Sequence, residues 1–252
     1  MNYIGIDIGS TASKTVIMNE TEILHYFSLP TGWNCKDTAF LIKEKIEELG
    51  YDLSLTKTVA TGYGRVSVPY ADKIISEITC HGLGGSYLFN ENATIVDIGG
   101  QDTKIVTIKD GKVFDFIMND KCSAGTGKFI EIMANRLGLN ISELCKISVE
   151  GKPIEINSMC TVFAESEIIG FIGKGEKREN IAAGILDSVA TKVKGLANKQ
   201  EIMPNCFLTG GLCESKEFLF FLSKKLGVEV TSSDLGRYAG AIGAAITGKS
   251  LK

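Results

Sequence analysis

Asp7 and Asp97 each close a short apolar run, and each is followed by Ile-Gly, a polar turn and a lysine seven residues on. An aspartate at a strand end suits magnesium, which keeps most of its waters and takes few carboxylates. Glycine beside it lets the backbone approach a ligand, and successive backbone N–H groups can bind anionic oxygens. The whole stretch IGIDIGSTASKTVIM at 4–18 recurs as TIVDIGGQDTKIVTI at 94–108, setting Asp7 on Asp97, Gly9 on Gly99 and Lys14 on Lys104. Either stretch alone reads as an ordinary hairpin with Asp and Gly on turn duty. Their duplication reads as two phosphate-binding hairpins opening two related halves and clamping a triphosphate from both sides.

The segment NDKCSAGTGKFI at 119–130 poses a second question. A P-loop needs Gly, four residues, Gly-Lys and then Ser or Thr. Aligning Gly127 and Lys128 to it puts Cys122 where the first glycine belongs and Phe129 where the hydroxyl belongs, and no strand is evident leading into it. The pattern fails, which leaves the cysteine to explain. The chain has seven cysteines, an odd number with no CxxC pair. That argues against a disulfide framework, a zinc ribbon and a ferredoxin-type cluster run. On spacing alone, Cys122 and Cys160 read as buried structural residues.

The elements that must position these groups alternate strand and helix. CKDTAFLIKEKIEELG sets Ala39, Ile42, Ile46 and Leu49 on one helical face, and residues 179–199 place Ile181, Ile185, Val189, Val193 and Leu196 at helical spacing. TKTVATGYGR reads as a strand entering a glycine-rich turn, and RYAGAIGAAITG as a small-residue helix suited to close packing. A third glycine cluster, CFLTGGLCES at 206–215, joins an apolar strand to a helix start and reads as nucleotide-facing. The run KGEKREN at 174–180 reads as a solvated loop, and His25 and His81 are too isolated for a metal site.

A net charge of −3 carries no nucleic-acid footprint. The apolar run FLFFL at 218–222 is too short to span a bilayer, and no charged segment of a signal peptide precedes the first strand. The expectation is a cytoplasmic protein.

Taken together, the two hairpins and LTGG resemble the superfamily of acetate and sugar kinases, heat-shock chaperones and actin. GIDIGSTASK, ATGYGR, ADKIISEITCHG, VDIGGQDTK, MNDKCSAGTGKF and CTVFAESEII narrow the resemblance, over nearly the whole chain and in order. It is to the activators of 2-hydroxyacyl-CoA dehydratases, the ATPase subunits of benzoyl-CoA reductase and the reductases of double-cubane-cluster proteins. The SMC run at 158–160 and CHGLGGSYLF lean toward the last branch.

The resemblance implies an α/β fold of two ribonuclease-H-like, actin-like ATPase domains with a nucleotide cleft between them. Domain I would span residues 1–92 plus a returning C-terminal helix at 237–248, and domain II residues 93–236. It implies ATP or ADP with Mg2+, Asp7 and Asp97 holding the metal through water, and Gln101 orienting the attacking water. Gly9, Ser10, Thr11, Gly99 and Gly100 would cradle phosphates, Lys14 would neutralise developing charge, and Gly210 and Gly211 would line the adenosine. After the double glycine the chain reads LCES rather than the family's usual continuation, leaving contacts beyond Gly211 undefined.

Cys122 and Cys160 match family positions that ligate one 4Fe–4S cluster shared by a homodimer. Four thiolates per cubane agree with two from each subunit. A ferredoxin or flavodoxin would donate the electron, and an iron–sulfur dehydratase or reductase component would accept it. Two other readings stay open: a small-molecule kinase of the same superfamily with Asp102 as base, and a nucleotide-dependent regulator without iron. Tyr63 and Arg65 would shape a domain or partner surface, and Glu165 a helix surface or dimer contact.

Overall fold

The computed structural model describes residues 1–90, 92–120, 122–157 and 160–251; Lys121 of the cysteine loop and Ser158 and Met159 of the SMC run lie outside them. In chain order the strands are β1 (Asn2–Ile8), β2 (Ala12–Met18), β3 (Ile23–Pro30), β4 (Thr56–Thr61), β5 (Lys73–Ile74), β6 (Ala93–Ile98), β7 (Thr103–Lys109), β8 (Lys112–Asn119), β9 (Cys206–Gly210) and β10 (Val230–Thr231). The helices are α1 (Cys35–Glu48), α2 (Glu77–Phe89), α3 (Gly127–Arg136), α4 (Ile141–Ser148), α5 (Thr161–Gly173), α6 (Arg178–Ala197), α7 (Lys216–Leu226) and α8 (Ala239–Gly248).

The strands form two five-stranded sheets, ordered β3-β2-β1-β4-β5 and β10-β9-β6-β7-β8. Read from β8, the second order repeats the first, so the duplication seen in the two hairpins extends over whole sheets. In the first sheet β1 runs antiparallel to β2 and parallel to β4. The chain divides into two compact units: Met1–Ile95, Val106–Phe116 and Ser233–Lys252 in one, Val96–Ile105 and Ile117–Ser232 in the other.

In the first unit both faces of the sheet are covered, which is why β1 and β2 are buried along nearly their whole length. Ile4, Ile6, Ile8 and Ile17 pack with Ala39, Ile42 and Ile46 of α1. Tyr3, Val16 and Met18 pack with Ala241, Ile242 and Ala245 of α8. Asn34 caps α1 by accepting from the Lys36 N–H. The small-residue helix packs as expected: a Cβ on Gly243 would stand 1.8 Å from the Cys80 carbonyl of α2, so that approach admits only glycine.

The second unit has one large core. Ile98 and Ile105 meet Phe129, Ile130 and Met133 of α3, Ile181, Ile185, Val189 and Val193 of α6, and Phe218, Phe221 and Leu222 of α7. FLFFL is therefore mostly core, and among the described residues no helix is long and apolar enough to cross a membrane.

Two expectations need correction. A strand, β8, does lead into the cysteine loop. It is an edge strand with Phe114 and Phe116 exposed, so no inward–outward alternation marks it in the sequence. The run at 174–180 is not all loop: α6 begins at Arg178, whose guanidinium donates to the Leu137 carbonyl.

Candidate nucleotide site and cysteine pair

Asp7 is the penultimate residue of β1, where its cross-strand neighbours are Lys14 on β2 and Thr61 on β4. The carboxylate is 3% exposed and lies 3.5 Å from Lys14 Nζ through Oδ2. Its Oδ1 is buried without a hydrogen-bond partner. A buried carboxylate oxygen lacking a donor is costly unless a cation or hydrated ligand satisfies it. Bare backbone walls the group. Gly62, at φ +85°, would carry a Cβ 2.3 Å from Oδ1, and Gly240 would carry one 2.9 Å from Oδ2 and 3.0 Å from His81 Nε2. His81 thus stands beside Asp7, with Glu77 Oε1 3.7 Å from its Nε2. Gly9 and Ser10 of the turn are half-buried and Thr11 is exposed.

The second turn repeats this arrangement with more internal pairing. Asp97 is 2% exposed, and Lys104 Nζ again lies 3.5 Å from Oδ2. Lys104 is itself fully buried and reaches Asp102 Oδ2 at 2.7 Å. Asp97 Oδ1 accepts from Thr209 Oγ1 at 2.8 Å. Asp102 is thus engaged as a counterion, and its backbone carbonyl accepts from the Gly99 N–H at 2.9 Å. That weakens the reading of Asp102 as a kinase base. Gln101 is exposed, Gly100 half-buried and Gly211 exposed.

The sheets also reveal a correspondence the sequence hid. Thr61-Gly62 at the end of β4 occupies the place of Thr209-Gly210 at the end of β9, each strand lying beside the Asp strand at the same position in the sheet order. Gly62 and Gly210 share a left-handed φ, +85° and +89°. A Cβ on Gly210 would stand 2.3 Å from the Ile98 carbonyl. Arg65, read as a surface residue, donates to the Gly62 carbonyl at 2.9 Å and holds that turn, while Tyr63 stays exposed.

Of the seven cysteines, Cys122 and Cys160 are exposed, Cys35 is intermediate and the other four are buried. This corrects the reading from spacing alone that made the pair structural. Burial pushes the Cys80 and Cys206 thiols up to about 12, and raises Cys145 as well. Cys160 is the N-cap of α5 and its side chain makes no cap bond, leaving the first helical N–H groups without that partner. Cys122 lies between β8 and α3.

The residue after each cysteine ties the two segments together: Ser123 Oγ and Thr161 Oγ1 are 2.8 Å apart. Glu165 pairs with Arg136, fastening α5 to α3. Two accessible thiols beside a helix N-terminus are soft donors of the kind that could hold a soft metal or an iron–sulfur group.

The chain is similar to known proteins along nearly its whole length. The profile of the BadF/BadG/BcrA/BcrD ATPase family matches residues 4–248. The (R)-2-hydroxyglutaryl-CoA dehydratase activating ATPase of Acidaminococcus fermentans is 42% identical over 247 residues, covering 96% of this chain and 95% of its own. The activator of lactoyl-CoA dehydratase of Anaerotignum propionicum is 38% identical over 256 residues, covering 98% and 96%. The solved activator of the 2-hydroxyisocaproyl-CoA dehydratase from Clostridium difficile, with bound ADPNP, superposes with a TM-score of 0.92 at 36% identity, covering 100% of this chain and 98% of that one.

Proposed function

This chain belongs to the BadF/BadG/BcrA/BcrD ATPase family, and we propose that it is an ATP-hydrolysing activator that injects a low-potential electron into a partner iron–sulfur enzyme. The observation that carries this reading is the cysteine pair. Cys122 and Cys160 are the exposed thiols, their neighbours Ser123 and Thr161 are hydrogen-bonded, and both lie in the unit that bears the Asp97 turn. Neither a small-molecule kinase nor an iron-free regulator has a use for that arrangement.

ATP is the nucleotide, as the family implies. Asp7 and Asp97 hold Mg2+ through its waters; the unpartnered Oδ1 of Asp7 supports this assignment. Backbone groups of Gly9, Ser10, Thr11, Gly99 and Gly100 bind phosphates, Lys14 offsets charge, exposed Gln101 orients the attacking water, and Gly210 and Gly211 line the adenosine. The ATPase domains are residues 1–92 with 237–248, and residues 93–236.

Cys122 and Cys160 of each of two subunits hold one 4Fe–4S cluster, which supplies one-electron chemistry at a potential tuned by hydrogen bonds and exposure. A second copy also accounts for the apolar side chains α5 leaves exposed, Val162, Phe163, Ile169 and Ile172. The donor is a ferredoxin or flavodoxin in the cytoplasm, and the acceptor a dehydratase or reductase component. Nucleotide drives the transfer only through differential affinity for two conformations.

The test is Cys122→Ser and Cys160→Ser in protein purified without oxygen. Each variant should lose its iron and its visible absorbance while binding ATP as the parent does. Full iron content in either variant would refute the ligand assignment.

A further inference from the structure

The second glycine turn and the cysteine loop are joined by three short hydrogen bonds. The Gly127 N–H donates to the Gly99 carbonyl at 2.9 Å, and the Lys128 N–H to the Gly100 carbonyl at 2.9 Å. Thr103 Oγ1 donates to the Gly125 carbonyl at 2.7 Å. The first two donors are leading N–H groups of α3, which have no partner inside their own helix. A helix start is usually capped by a side chain. Here Thr126, the N-cap, makes no such bond and spends its hydroxyl on the Ser123 carbonyl at 2.6 Å. The glycine turn therefore caps α3 in its place.

The linkage runs on without a break. Thr103 and Thr126 are 2% and 0% exposed, so neither bond has water as a ready substitute. Thr126 holds Ser123, the neighbour of Cys122. Ser123 holds Thr161, the neighbour of Cys160. Backbone at Gly99 and Gly100 cannot shift by much more than a few tenths of an ångström before these bonds leave their working range. A displacement there moves the start of α3 with it.

We infer that Thr103 is a positioning residue that transmits occupancy of the Gly99-Gly100 turn to Cys122 and Cys160. This rests on the function proposed above. Thr103 touches neither nucleotide nor sulfur in that scheme; it fixes the cysteine loop to the turn. The coupling is reciprocal, so the state of the cysteines acts back on nucleotide affinity.

The test compares Thr103→Val, which keeps the side-chain shape and loses the hydroxyl, with Thr103→Ser, which keeps the hydroxyl. The iron-loaded protein is titrated with ADPNP while the midpoint potential and the electron paramagnetic resonance of the reduced form are followed. Nucleotide affinity is measured in parallel by fluorescence of a labelled ATP. Parent protein should show a nucleotide-dependent shift in both signals. Thr103→Val should bind nucleotide about as well yet lose the shift, and Thr103→Ser should recover it.

A full shift in folded Thr103→Val overturns the inference, as does the absence of any shift in iron-loaded parent protein. If the parent holds no iron, the proposed function fails, and the inference is then read on the bare thiols. Nucleotide should change the alkylation rates of Cys122 and Cys160 in the parent and in Thr103→Ser, and leave them unchanged in Thr103→Val. Should Thr103→Val fail to fold, Ser123→Ala breaks the next link. Cys122 should then keep its response to nucleotide and Cys160 lose it; an undiminished response at Cys160 overturns the linkage.

Discussion

Thr209 Oγ1 donates to Asp97 Oδ1 at 2.8 Å, whereas Thr61, its counterpart in the first sheet, gives its hydroxyl to the Ile75 carbonyl at 3.1 Å. Two turns of one design therefore differ in how their aspartates are satisfied. Asp97 sits in a network with Thr209 and Lys104, and Asp7 keeps a buried oxygen without a partner. The second aspartate is the more structural of the two, and the first is the more open to a ligand.

That contrast separates stability from binding. Asp7→Asn should leave unfolding nearly unchanged and weaken magnesium-dependent nucleotide binding by about 10–100-fold, the usual effect of losing an outer-shell partner of a metal. Thr209→Val removes a buried donor to a charged group and should cost about 1–3 kcal/mol in denaturant unfolding. The two measurements exchanging outcomes would contradict the assignment.

Glycine tolerance should differ sharply between Gly62 and Gly211. Gly62→Ala puts a Cβ 2.3 Å from Asp7 Oδ1 at a left-handed φ of +85°. Strain of this kind costs about 1–3 kcal/mol, and the carboxylate must move, so nucleotide affinity should fall along with stability. Gly211 has nothing within 4 Å of the corresponding point. Gly211→Ala should keep stability within about 0.5 kcal/mol. Any loss of nucleotide affinity there would then report on contact with the ligand itself.

The thiols should sort by environment. In iron-free protein near neutral pH, alkylation followed by peptide mass analysis should modify Cys122 and Cys160 first and leave Cys80, Cys145 and Cys206 untouched until unfolding. Burial raises the Cys80 and Cys206 thiols from 9.0 to about 12. Unfolded chains therefore lose these protons before folded ones do, and stability that is full below pH 9 should be lost as pH rises toward about 12. Denaturant midpoints measured across that window should fall, and Cys80→Ala or Cys206→Ala should flatten the fall.

Air should bleach the protein without unfolding the ATPase sheets. Exposed iron–sulfur groups are oxidised readily, and neither hairpin turn contains a cysteine. Circular dichroism and labelled-ATP binding should survive the loss of visible absorbance. Loss of nucleotide binding in step with the colour would mean that iron holds the nucleotide site together.

The hairpins were legible because Asp, Gly and Lys recur at fixed spacing and their chemistry requires those types. The apolar faces of α1 and α6 were legible because Ile42 and Ile46, like Ile185 and Val189, keep helical period, each pair against its own core. The third strand of each sheet was not. β3 and β8 are edge strands with mixed exposure, so their period of two is blurred by outward residues such as Tyr26 and Phe116. The correspondence of Thr61-Gly62 with Thr209-Gly210 was hidden too, since two shared residues make no repeat. Only strand order and backbone conformation align them. The hydrogen bonds from α3 to Gly99 and Gly100 use main-chain atoms, which no side-chain pattern records.

The most direct measurement is iron and acid-labile sulfide per subunit in protein purified without oxygen. About two of each per subunit, in a brown dimer, is the result expected for one cubane shared between two chains. A protein that binds and hydrolyses ATP yet takes up no iron, even after anaerobic reconstitution, would contradict electron transfer as its function.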